Sequence, residues 1–533
     1  MIEVSGIKLP VGAGEQTEQK LKSRIAGQCG FDCALIRELT ILRRAIDARK
    51  RDQIHYELRV ALSLPPKEEK RLLSKHLPNV APYVERESEP PKPGDEPLRG
   101  RVAVVGLGPA GLFAALTLAE NGYAPLVIER GKPVKERTED ISRFWTAARL
   151  DPESNVMFGE GGAGTFSDGK LTSRSKDARQ INVLKTLYRF GAPEEILYDA
   201  KPHIGTDRLR TVVSGIRAEI ERLGGEVWFS SKLVSLAGDG TIEVERGGRV
   251  EMPDVSAVVL AIGQGARDTY RMLMNRGVAF AKKPFAVGVR AEHPQAMIDA
   301  SQYGPMAGNP ALGAASYALT GKSGDRGVYT FCMCPGGQVI ASSSSPGEVV
   351  VNGMSYFRRD GVNANAAVIV QVRPEDTADD PLAGIVFCEE MERAAFRAGG
   401  GDYRAPSERV GDFLRNETNP AAFGSVQPSY RPGVRVCNLW DCLPDFVAKG
   451  VADGIASFAC RLKGYDLGDA VLTAPETRTS APVRIVRDEQ LRSVSHPFLY
   501  PVGEGAGYAG GIVSAAIDGI RAAESIISRF ARP

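Results

Sequence analysis

The sequence predicts an α/β protein built from three parts. These are a Rossmann-like nucleotide-binding domain that is discontinuous in the chain, an inserted mixed α+β domain, and a small α/β domain at the N-terminus. Three observations carry this reading. In residues 101–130 an apolar β-branched run, Val102 to Val105, meets Gly106-Leu107-Gly108-Pro109-Ala110-Gly111 and leaves as an apolar pattern at helical spacing. Near the C-terminus the same grammar returns: a strand over 498–502, the loop Gly503-Glu504-Gly505-Ala506-Gly507, then Gly510-Gly511-Ile512 opening a helix over 513–530. Between them, from Phe285 to about Leu467, strands are broken by glycine, with no βα alternation and no second GxGxxG.

Composition sets the outer bounds. At 533 residues the chain exceeds one compact core, so two or three domains are expected. A hydrophobic content of 43% and a charged content of 25% are those of a soluble globular protein, and a net charge of +2 argues against a bulk polyanion such as nucleic acid. No apolar run reaches membrane-spanning length and the first residues lack the apolar core of a signal peptide, so no membrane partner and a cytoplasmic location are expected. Eight cysteines are too few here for a disulfide framework. The five histidines (His55, His76, His203, His293, His496) are scattered away from any cysteine pair, so no metal is expected.

In chain order, residues 1–77 read as the small α/β domain. A strand is expected at 2–4, a charged amphipathic helix at 15–26, and a half-buried strand at 54–62 where apolar and mostly polar residues alternate. The segment 39–48 pairs with that strand across the basic turn Arg49-Lys50-Arg51-Asp52-Gln53, read as a solvated hairpin, and a short helix covers 67–76. Residues 78–100, with PPKPGDEP inside, are a proline-rich linker.

Residues 101–284 form the first part of the nucleotide domain. Gly106 permits the tight turn, Gly108 removes the Cβ that would block a pyrophosphate, and Gly111 lets the helix pack on the strand. A second strand, 125–128, ends at Glu129, 18 residues after Gly111, placed for an adenosine ribose. A carboxylate there disfavours a 2′-phosphate, so FAD or NAD is expected rather than NADP. Next comes a loop from Gly159 to Lys170 with five glycines in twelve residues (159, 161, 162, 164, 169), flanked by Met157, Phe158, Phe166 and Leu171, which suits backbone running against a flat ligand. Helices at 178–189 and 208–223 and strands at 226–229 and 255–263 complete this part. Residues 285–467 are the inserted substrate domain, with strands at 286–291, 328–332, 338–341, 349–352 and 367–372 and helices at 383–398 and 451–462. Residues 468–533 return to the nucleotide domain.

Taken together, GLGPAGLFAALTLAENG…VIER and LYPVGEGAGYAGGIVSAAIDGI resemble the FAD-binding domain of the glutathione-reductase-like flavoproteins. GEGGAGTFSDGKL, FAVGVRAEHP, VYTFCMCPGG and ETRTSAPVRI resemble the little-characterised FAD-dependent dehydrogenases that carry an extra N-terminal domain, and this resemblance spans essentially the whole chain. It implies FAD, with Gly106, Gly108, Pro109, Ala110 and Gly111 at the pyrophosphate and Glu129 and Arg130 at the adenosine end. Val234 would meet the adenine through its backbone, Ala261 and Gly263 would lie beside the nucleotide half, and Gly503 and Glu504 would meet the ribityl or phosphate region. Gly161, Gly162 and the run Thr165, Phe166, Ser167, Asp168, Gly169 and Lys170 would border the isoalloxazine. Gly510, Gly511 and Ile512 would aim a helix at its pyrimidine edge.

The chemistry is less legible. The CxxxxC pair of the disulfide reductases is missing from the first helix, and CxxC is absent throughout, so disulfide reduction by those routes is not expected. Without a second Rossmann fingerprint, electrons come from the substrate, from a transiently visiting NAD(P)H, or from a redox carrier protein. Cys332-Met333-Cys334 places two thiols at i and i+2, on one face of a strand. Two readings stand: a thiol pair or general acid near the flavin, or two small residues packing a strand on the cofactor, the latter favoured because so close a pair makes a strained disulfide. Arg478 reads either as an anion clamp or flavin-polarising group, or as a surface salt bridge. His203 reads as a base or as a loop histidine on backbone. The expectation is an FAD-dependent oxidoreductase exchanging a hydride between flavin N5 and a small-molecule substrate. The rivals are a single-Rossmann flavin monooxygenase using NAD(P)H and O2, and a flavoprotein whose N-terminal domain docks a partner.

Overall fold

The computed structural model describes residues 1–12, 17–85, 90–173, 175–418 and 423–533. Its centre is a five-stranded parallel sheet in the order Leu499–Pro501, Val255–Leu260, Arg101–Val105, Leu126–Ile128, Glu226–Trp228. A parallel sheet is buried on both faces, which is why these strands are short and almost wholly apolar. On one face pack the helices Pro109–Glu120, Arg179–Arg189, Thr206–Arg222 and Ile512–Arg529. A Cβ on Gly519 would stand 2.0 Å from the Ala110 carbonyl, so the first and last helices of the domain touch backbone to backbone. The sheet's other face is covered by helix Arg267–Asn275 and a three-stranded antiparallel sheet, Ser231–Leu236, Ile242–Arg246 and Arg249–Glu251. Sequence periodicity did not reveal that small sheet, nor the helix Val134–Ala147.

The inserted domain is a seven-stranded, largely antiparallel sheet, ordered Thr320–Ser323, Arg326–Cys334, Asn363–Val372, Phe285–Pro294, Val471–Glu476, Ala405–Arg409, Val434–Val436. Helix Asp445–Ala459 packs on it through Val447, Val451, Ile455 and Phe458. One boundary moves: Val471–Glu476, expected after residue 467 in the nucleotide domain, lies inside this sheet between Phe285–Pro294 and Ala405–Arg409. Every residue of that strand is buried. An apolar strand of this kind looks alike in either domain, and only its pairing partners decide.

The N-terminal domain is a four-stranded antiparallel sheet, Glu38–Asp47, His55–Ser63, Ile2–Pro10 and Val80–Pro82, with helices Thr17–Cys29 and Pro66–Ser74 over a core of Val4, Ile25, Leu58 and Leu72. Of the helix expected over 15–26, residues 15 and 16 lie outside the described residues. The linker is shorter than expected. Val80–Pro82 is an edge strand beside Ile2–Val4, and Gly94 and Glu96 bond to the backbone of the last helix at Ile527, Arg529 and Phe530. Residues 86–89 of that linker lie outside the described residues. The domain docks through backbone bonds between Arg44 and residues 198–200, the Arg44–Asp199 ion pair at 2.7 Å, and the Tyr56 hydroxyl on the Ala311 carbonyl. Arg49, Lys50 and Arg51 of the basic turn are exposed. No helix among the described residues is long and apolar enough to cross a membrane.

Candidate functional site

The strand ends of the parallel sheet and one face of the inserted sheet enclose a single elongated cavity of about 550 Å3. At one end the chain turns through Gly106, whose φ of +97° favours glycine and whose N–H donates to Ile128 O at 2.8 Å. Gly111 sits so close that a Cβ would stand 1.9 Å from Gly106 O, whereas a Cβ on Gly108 would meet only Gly162 Cα at 3.8 Å. The first glycine pair therefore serves packing, and Gly108 keeps open the space in front of the helix. The leading amides of helix Pro109–Glu120 have no intrahelical partner and give that space a partial positive charge.

Glu129, 4% exposed, borders the cavity and ties three segments together. Its Oε2 accepts the Leu107 N–H at 2.8 Å, and its Oε1 accepts the N–H groups of Gly131 (2.8 Å) and Gly159 (2.9 Å). A carboxylate offers about four acceptor positions, so one remains for a ribose hydroxyl. Arg130 stacks on Phe158, 3.9 Å from the ring centroid, and pairs with Glu153 and Asp268.

The glycine-rich loop is held from behind by Arg137, a residue the sequence did not single out. Fully buried, its guanidinium donates to the carbonyls of Asn155, Val156, Gly159, Glu160 and Gly162. Burial pushes its pKa down to about 10, with Glu129 and Glu160 opposing the shift. Gly162 and the run Ser167 to Lys170 face the cavity. Three expected contacts are corrected here. Gly161, Thr165 and Phe166 lie beneath the lining: Gly161 bonds to Leu107 O, Thr165 O accepts the Thr206 hydroxyl, and Phe166 is packed under Arg137 and Arg210. Val234 is likewise not a lining residue. It falls at a break in strand pairing, and Ser231, Lys232 and Leu233 form the wall instead.

Ala261 and Gly263 line the middle, next to Gln264, which donates to Glu504 Oε1 at 2.9 Å and to the Arg478 carbonyl at 2.8 Å. Burial pushes Glu504 up to about 7. Arg478 is buried, not a surface ion pair. Its Nη1 donates to Ser344 Oγ at 2.7 Å, and its Nη2 is ion-paired with the buried Glu392 at 3.5 Å. Gly503, Gly510, Gly511 and Ile512 border the cavity where the last helix begins.

At the far end stand Thr330, Phe331, Cys332, Asn352 and Glu476. Asp168 holds both Lys170 (2.9 Å) and Arg359; against burial, which alone would raise it, these cations keep its carboxyl below the usual range. Glu476 is paired bidentately with the fully buried Arg290 at 2.8 and 2.9 Å, and Arg290 also reaches Cys332 O and Asn365 Oδ1. The cysteines do not share one face of a regular strand: pairing breaks between Phe331 and Cys334, and Cys332 has φ +42°. Cys332 thereby enters the cavity wall, and Cys334 lies behind it, fully buried. His203 is a backbone-bound loop histidine, its Nε2 3.0 Å from Phe357 O and its ring stacked on Phe357. Among the described residues no cluster of three metal-ligating side chains occurs.

The arrangement fits FAD on its own terms. There is a tight turn with a clear approach at Gly108, a helix start, a buried acid with a remaining lone pair, and a long groove ending in polar side chains. Compared with known proteins, residues 284–479 match the profile "FAD-dependent protein, C-terminal domain-like", and residues 1–63 match a domain of unknown function, DUF8436. An uncharacterized protein of Clostridium beijerinckii (strain ATCC 51743 / NCIMB 8052) is 49% identical over 520 residues, 96% of each chain. Among solved structures, a geranylgeranyl bacteriochlorophyll reductase-like protein from Thermoplasma acidophilum is 12% identical, covering 81% of this chain and 78% of its own with a TM-score of 0.34. A flavoprotein/dehydrogenase from Cytophaga hutchinsonii is 11% identical, covering 80% and 76% with a TM-score of 0.33.

Proposed function

The chain belongs to the family of FAD-dependent proteins, and from that premise we propose that it is an oxidoreductase of the dehydrogenase or reductase type acting on a small organic molecule. The observation that carries this reading is the continuity of the cavity from the nucleotide turn to the polar end beneath the inserted sheet. A nucleotide-binding module alone would need only the first half. Bound there, FAD supplies two-electron hydride chemistry at flavin N5, and the protein's share is to orient and to tune.

Glu129 and the amides after Gly108 hold the adenosine and diphosphate. Arg478 brings a buried guanidinium, held by Ser344 and Glu392, to the wall in the middle of the cavity. The positive end of the 18-residue helix Ile512–Arg529 borders the last part of the groove, with the Gly511 N–H donating to Ser514 Oγ at 3.1 Å. At the substrate end, Asn352 Oδ1 is engaged by Arg290 and Gly353, which orients its amide nitrogen as a donor, and Cys332 contributes a thiol. Glu476 is neutralised there by its ion pair with Arg290.

The test is anaerobic stopped-flow of the yellow protein with NADH and NADPH, following flavin absorbance. With one Rossmann fingerprint in the chain, neither nicotinamide is expected to bleach the flavin within seconds, and reduction is expected only from an oxidisable small molecule. Rapid bleaching would replace the dehydrogenase reading by a nicotinamide-driven reductase or monooxygenase.

A further inference from the structure

We propose that Cys332 and Cys334 form a dithiol–disulfide couple that exchanges an electron pair with the bound flavin, a second redox centre resting on the FAD-dependent reading above. In a regular strand the side chains of residues i and i+2 stand about 7 Å apart, beyond the roughly 4 Å between Cβ atoms that a disulfide needs. This strand is not regular at the pair. Its pairing with Asn363–Val372 breaks between Phe331 and Cys334, and Cys332 adopts a left-handed φ of +42°, a conformation that costs a cysteine free energy and recurs at functional sites. The kink turns Cys332 into the cavity wall, and the Cys334 thiol points back toward it, donating to the Cys332 carbonyl at 3.3 Å.

The surroundings favour a thiolate. Lys170 Nζ lies 3.9 Å from Cys334 Sγ, and Arg290 lies against the Cys332 carbonyl. The neighbouring Cys334 thiol, then Lys170 and Arg290, hold Cys332 well below the ordinary thiol range against its burial, and Cys334 is correspondingly raised. A thiolate facing the flavin with a protonated thiol behind it is the reduced form such a couple requires. Closing the Sγ–Sγ bond removes two electrons and the pair's remaining proton; the electrons pass to oxidised FAD, which takes up one proton. Opening reverses this. A disulfide between residues so close in sequence is strained and therefore readily reduced.

The test counts electrons. Holoprotein oxidised with ferricyanide and titrated anaerobically with dithionite is expected to accept four electrons per flavin, and Cys334→Ser holoprotein only two. In the oxidised, denatured wild type, two of the eight thiols are expected to be blocked to a thiol reagent. A wild type that accepts two electrons with all eight thiols free overturns the couple, and this result does not depend on any variant folding. Such a protein, if its flavin still turns over with a substrate, keeps the oxidoreductase reading. A protein that retains no flavin removes both.

Discussion

At the scale of single residues, Glu129 shows how one carboxylate organises a cofactor site before any ligand arrives. Its three backbone partners come from the nucleotide turn, its own strand end and the glycine-rich loop. Removing the carboxylate leaves three buried N–H groups unpaired, each costing roughly 1–3 kcal/mol. Glu129→Ala is therefore expected to weaken FAD retention by at least about tenfold, read as the ratio of flavin to protein absorbance after gel filtration. Unchanged loading would remove Glu129 from the site. Its place was legible in the sequence because an acid at a fixed distance from the glycine turn is a spacing signal. Arg137 was not legible: five carbonyls converge on it from residues 155–162, and nothing in a helical stretch marks which arginine will be buried.

At the scale of elements, the turn from strand Arg101–Val105 into helix Pro109–Glu120 separates packing from binding within six residues. Gly111→Ala would press a methyl into Gly106 O, so it is expected to lower the apoprotein's Tm. Gly108→Ala meets only an ordinary contact within the protein and is expected to leave apoprotein stability within about 0.5 kcal/mol while abolishing FAD loading. Calorimetry of both apoproteins with flavin content alongside separates the two roles, and equal destabilisation would sink the distinction. Strong periodicity made helices such as Thr206–Arg222 and Ile512–Arg529 readable to within two residues. Short strands such as Ala405–Arg409 and Val434–Val436 carry no periodicity of their own and exist through their neighbours.

At the scale of the whole molecule, acids pushed up by burial bind more protons in the native than in the unfolded state. Glu408 is the clearest case, 1% exposed, with Oε2 accepting the Leu439 N–H, Oε1 unpartnered, and its carboxyl raised from 4.5 to about 7. Stability from such a group is present at low pH and is lost as pH rises from about 4.5 through about 7. Denaturant unfolding of the apoprotein across that window is expected to show a decline on the order of 2 kcal/mol less in Glu408→Gln than in the wild type. The decline does not vanish, because Glu348 and Glu504 are raised to about 7 as well. An identical slope in both proteins would show that Glu408 is ionised as usual.

The sequence by itself determined the nucleotide fold, the cofactor and the discontinuity of its domain. Glycines at a tight turn, a helix start and a distal acid are local requirements of a diphosphate-binding strand–turn–helix, and local requirements leave local signatures. Only the tertiary structure decided what closes the other end of the cavity. Whether Val471–Glu476 belongs to one sheet or another, whether Arg478 is buried, and whether Cys332 and Cys334 lie flat or kinked depend on pairing partners up to 186 residues away, such as Glu476 for Arg290. The energies that select those partners, burial and charge pairing, arise only when distant segments meet, and no stretch of chain carries them alone.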